Sequence, residues 1–175
     1  MVNVQSPPAF AGKLPIIGPA FEKADPAQRL RGLLGVFLMV AMAIGAVTAG
    51  AKFLNDPDTL WHIAVGQDIW LTKSLPHVDA YSHSFAGDAW IAKEWLSQLI
   101  LYTAFVAGGW NGVALLAIAV MLIVTCQIYG ALSRHIRPIL AVAITAGSLA
   151  IASDVFVARP HILALPVIIF FVHQL

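Results

Sequence analysis

No charged side chain occurs between Arg31 and Lys52, and none between Glu94 and Arg134. This constrains the fold more than any other feature of the chain. A helix rises about 1.5 Å per residue, so some 20 apolar residues match a hydrocarbon layer roughly 30 Å thick. Water offers no comparable solution for such runs, and the rest of the chain cannot shield them. Charged residues make up 11% of the 175, apolar residues 59%, and mean hydropathy is +0.83. A soluble domain carries roughly 25% charged residues. The expectation is an all-α polytopic membrane protein. A formal net charge of +1 offers no basic field for a nucleic acid. The single cysteine, Cys126, excludes a disulfide framework and a thiolate metal site.

Hydropathy divides the chain into about four spans. Residues 1–31 read as a cytosolic or interfacial segment, with Asp25 and Pro26 placed as helix cap and first helical residue. The first span is 32–53. Residues 54–109 form a large outer loop with interfacial helices near 58–72 and 95–107, the second ended by Gly108-Gly109. A second span over 110–133, a hairpin at 134–138, a third span over 139–157 and a fourth over 160–175 follow. The chain stops inside that last span.

Charge sets the orientation. Lys13, Lys23, Arg29 and Arg31 mark the N-terminal segment as cytosolic, and Arg134 and Arg137 mark the hairpin likewise. Residues 54–94 hold six of the nine acids against Lys73 and Lys93, which places them outside. If 95–107 crossed the membrane, the hairpin arginines would lie on the wrong side. At thirteen residues it is also short of a span. It is therefore expected to lie along the outer interface.

The densest chemistry follows the first span: Asn55-Asp56-Pro57-Asp58-Thr59-Leu60-Trp61-His62. Carboxylates two residues apart can bind a divalent ion through oxygen, and one can serve as a general base. The same residues also suit a helix start, with Asp56 as cap, Pro57 first, and Asp58 at the positive terminus. His62, His77 and His83 match no zinc spacing and suit structural or solvated roles. Trp61, Trp70, Trp90 and Trp95 suit an interfacial belt. Lys93 is a candidate phosphate contact or half of an exposed pair with Glu94. Arg159 is either a phosphate-binding fork or the partner of Asp154. Span histidines do not pair at matching depth, which argues against a haem subunit.

The order of these elements resembles the N-terminal part of the GT-C superfamily of polytopic glycosyltransferases, which includes protein mannosyltransferase-like and aminoarabinose transferase-like enzymes. The closer resemblance is to bacterial multipass proteins of that kind. It is carried by Asp56-Pro57-Asp58, Trp61-His62, Gly66, Pro76, Asp79, Ser82, Trp90 and Glu94-Trp95-Leu96. The resemblance spans about residues 33–172, with its specific part at 55–96. It implies a polyprenyl-phosphate sugar donor and chemistry at the outer face. Asp58 would be the catalytic or metal-associated carboxylate, with Asp56 the second candidate. Lys93, Arg159 and His62 would contact substrate or phosphate. A divalent metal ion is an optional cofactor. The chain departs from the family in having Thr59 where many members have a second acid. Arg159-Pro160-His161 stands where some members carry an acid, and the family's later spans are missing.

Two functions follow. The first is a shortened GT-C-like module, a non-catalytic subunit packed in a larger complex of the bacterial inner membrane. Small residues such as Gly45, Ala46, Gly50, Gly147 and Ser148 would permit close helix contact. The alternative is the N-terminal fragment of a transferase acting on a polyprenyl-phosphate lipid.

Overall fold

A computed structural model describes residues 25–48, 53–154 and 156–175, with only the backbone of Asp154. The N-terminal expectation therefore lies outside the described residues up to position 24. The architecture is helical, and a lone bridge between Val78 and Ala89 is the only strand-type pairing among the described residues. We number the helices α1 (Pro26–Thr48), α2 (Asp58–Thr72), α3 (Trp95–His135), α4 (Pro138–Ile151) and α5 (Pro160–Gln174).

Local sequence explains where each begins and turns. At α1, the Asp25 carboxylate accepts from the Ala27 N–H at 3.3 Å and proline takes the first helical position. Asp56-Pro57 precedes α2 in the same way. α3 is two helical segments, 95–107 and 110–135, joined where Gly108 and Gly109 leave helical backbone. Gly109 has φ +57° and ψ −145°, a conformation open to glycine and costly for other residues. The chain then folds back tightly. A Cβ on Gly112 would stand 2.1 Å from the Ala104 carbonyl oxygen.

The core forms where 110–135 meets α1, α4 and α5. Ala46, Ala117, Met121, Val124, Leu149 and Ile162 are buried there. A second cluster of Ile63, Leu101, Val113 and Ala158 holds α2 against the first half of α3. Outward faces are apolar as well. Leu33, Phe37, Val40, Ile44 and Val47 on α1 are exposed, as are Val167, Ile168, Phe170 and Phe171 on α5. An apolar exterior of this extent is unsuited to water and suited to lipid.

Two helices, α1 and α3, are long and apolar enough to cross a membrane. This corrects the expected four on length: α4 has 14 residues and α5 has 15. The physical reason is local. Ala152–Asp154 tightens into a 3₁₀ turn, and Pro160 restarts the helix instead of continuing it.

Contacts nevertheless register the helices at two levels. At one end, the Ala158 N–H donates to the Phe53 carbonyl at 2.8 Å. At the other, the Tyr129 hydroxyl donates to the Arg31 carbonyl at 2.8 Å, and Arg134 meets His173 at 3.3 Å.

Candidate functional site

The start of α2 and the start of α5 meet through one arginine. Arg159 precedes Pro160, and its extended backbone carries the guanidinium toward residues 56–58. Its Nη2 donates to Asp56 Oδ1 at 2.8 Å, and its Nε donates to Asp56 Oδ2. This is a two-pronged pair of the kind a planar guanidinium favours. The same Nη2 lies 3.0 Å from Asp58 Oδ2.

The two carboxylates differ in setting. The Asp56 side chain is 3% exposed, and its Oδ1 also accepts from the Asp58 backbone N–H at 3.0 Å. It holds the N–H of the first α2 residue and anchors Arg159 together. The hydrogen bond from Arg159 holds its carboxyl below the ordinary value of 3.8, against the upward push of desolvation. The Asp58 side chain is 45% exposed and has one oxygen outside the pair. Beneath them, Thr59 is 1% exposed and donates to the Ala158 carbonyl at 3.1 Å. The chain just before α5 is thus fastened to Phe53 by backbone and to the start of α2 by hydroxyl and charge.

One turn along α2, His62 is buried at 5% exposure. Its Nδ1 lies 3.3 Å from Gln98 Nε2 and 3.8 Å from Glu94 Oε2. Burial lowers its pKa below 6.5, outweighing the nearby carboxylates, so the ring is neutral at pH 7. A neutral imidazole packed against an amide is a helix-to-helix contact between α2 and α3. Gly66 makes that approach possible, since a Cβ there would stand 2.2 Å from the Gln98 carbonyl oxygen.

The five singled-out residues do not form one cluster. Asp56, Asp58 and Arg159 converge, and His62 joins Gln98 and Glu94. Lys93 is exposed just before α3 and makes no ion pair among the described residues. Arg159 engages the two α2 carboxylates, and the side chain of the other expected partner, Asp154, lies outside the described atoms. A metal ion at Asp56 would have to displace the guanidinium from both oxygens. Among the described residues, no group of three or more His, Cys, Asp or Glu is placed to hold a metal.

Gln98 and Thr59 carry structural weight that sequence reading passed over. Gln98 follows Glu94 by four residues and so shares its helix face, a spacing that could have flagged it. Thr59 offered no such signal, because its acceptor is 99 residues away.

Comparison with known proteins finds no matching family model, no matching curated protein and no matching solved structure.

Proposed function

We propose that the chain is a GT-C-like helical module of a bacterial inner-membrane complex, acting there as a non-catalytic subunit. In this reading α1 and the 110–135 part of α3 cross the membrane, and the shorter α4 and α5 pack against them. The N-terminus is cytosolic and residues 54–109 lie on the outer side. The observation that carries the subunit reading is the engagement of Arg159 with both candidate carboxylates. An Asp56 carboxylate held in two hydrogen bonds by a guanidinium is a clamp and a poor base. Its depressed pKa leaves it little affinity for a proton.

A second reading keeps one specific observation in its favour. Asp58 is half-exposed and pairs with Arg159 through one oxygen only, and it can act on a hydroxyl in the manner of an outer-face transferase. Arg159 would then also meet the phosphate of a polyprenyl-phosphate sugar.

The two separate in one pair of measurements on mildly solubilised membranes. The subunit reading predicts native electrophoretic migration well above the 18.7 kDa of the chain, unchanged in Asp58→Asn. It also predicts no sugar transfer from added polyprenyl-phosphate mannose. Transfer that is lost in Asp58→Asn, with a chain migrating alone, would establish the transferase reading instead.

A further inference from the structure

The loop between α2 and α3 builds a second site with no role in the clamp. Residues 77–90 close on themselves: the Trp90 N–H donates to the His77 carbonyl at 2.8 Å, and the Asp79 N–H to the Asp88 carbonyl at 2.9 Å. Gly87, at φ +95°, takes the turn between them. This closure brings Tyr81 and Trp90 up to Trp61 on α2. The three ring centroids stand 6.1, 5.9 and 6.4 Å apart, with planes inclined by 61°, 70° and 42°. Together with Asp79 and Ser82 they line a cavity of about 290 Å³.

We propose that Trp61, Tyr81 and Trp90 form an aromatic cage for a quaternary ammonium group, with Asp79 supplying the opposing charge. A cation seated about 4 Å above the plane of the centroids lies within roughly 6 Å of each, the reach of a cation–π contact. Mutually inclined rings can face one point from several sides, whereas a sugar ring requires a flat platform. Much of the hydrogen-bonding capacity of Asp79, Ser82 and Tyr81 is also already committed. Asp79 accepts from the Tyr81 and Ser82 N–H groups at 2.8 and 2.9 Å and from the Ser82 hydroxyl. The Tyr81 hydroxyl donates to Asp68, which fixes its ring. That leaves chiefly the Trp61 and Trp90 indole N–H groups to pair the several hydroxyls of a sugar, while an alkylammonium needs none. No lysine or arginine lines the cavity. The hydrogen bonds to Ser82 and Tyr81 keep Asp79 ionised at neutral pH. The same chemistry can be presented by a free choline-like solute or by the headgroup of phosphatidylcholine.

The test uses the full chain in phosphatidylglycerol nanodiscs, whose lipid headgroups carry neither a quaternary ammonium nor a sugar, with choline binding read by saturation-transfer NMR on its methyl signal. Choline should bind at least tenfold more tightly than its neutral isostere 3,3-dimethylbutanol. Trp90→Leu should weaken choline at least tenfold, and Trp90→Phe should retain most of the affinity. Equal binding of the neutral isostere by the unaltered protein overturns the proposal without reliance on any variant. So does preferential binding of glucose, or a Trp90→Leu protein with native helicity and undiminished choline binding. Repeating the titration in phosphatidylcholine nanodiscs assigns the source: loss of the free-choline signal points to the lipid headgroup, and its persistence to a soluble ligand.

Discussion

Asp56 and Asp58 are two residues apart and chemically alike, yet their surroundings divide their roles. Asp56 is enclosed and doubly bonded to Arg159, so its loss should register as stability. Asp56→Asn is expected to lower the thermal midpoint by about 2–5 °C, because one buried acceptor charge is lost while half-exposed Arg159 can turn to water. Asp58→Asn should leave the midpoint within about 1 °C, as substitutions of half-exposed groups usually do. His62 gives a pH signature. Its folded-state pKa lies below its unfolded value of 6.5, so the unfolded chain binds the extra proton. Stability from this group is complete above pH 6.5 and falls as the pH is lowered through the folded value. Asp56 acts with the same sign, but only below pH 4, since its depressed pKa starts from 3.8. Denaturation midpoints measured between pH 7 and 5 should therefore decline. His62→Asn, which keeps an amide near the Nδ1 position, should flatten that decline. A slope unchanged in His62→Asn would remove His62 as its source.

Among the elements, helix starts were legible and helix partners were not. Asp25-Pro26 and Asp56-Pro57 announce α1 and α2 because proline at the first helical position, as in α1, or just before it, as in α2, loses no hydrogen bond. Gly108-Gly109 announces the break in α3 because few other residues adopt φ +57° together with ψ −145°. The lengths of α4 and α5 were not legible: an apolar run of 19 residues from Ile139 to Val157 reads as one span. Hydropathy marks neither the 3₁₀ turn at Ala152–Asp154 nor the fastening of Ala158 to Phe53 and Thr59. Arg159 was legible as a residue that needs a partner, but the partner lies 103 positions away. The packing of α2 on α3 depends on Gly66 in the same non-local way. Gly66→Val should cost about 1–3 kcal/mol as overpacking against backbone that cannot give way. Limited proteolysis should then cut within 73–94 at a faster rate. Undiminished stability in that variant would show that α2 does not rest on Gln98.

For the whole molecule, the proposed topology puts the two ends of the helix bundle on opposite sides of a membrane. Asp56, Asp58, Ala158 and Arg159 gather at one end, Arg31, Tyr129, Arg134 and His173 at the other. The basic residues of the second end suit a cytosolic surface. Cysteine labelling in intact cells tests this directly, because the single native thiol, Cys126, can be replaced by alanine. In that background, cysteines at Ser84 in the α2–α3 loop and at Ile136 in the α3–α4 turn should differ in reach. A membrane-impermeant maleimide should label position 84 in intact spheroplasts and position 136 only after permeabilisation. Labelling of both positions from the same side would contradict the account.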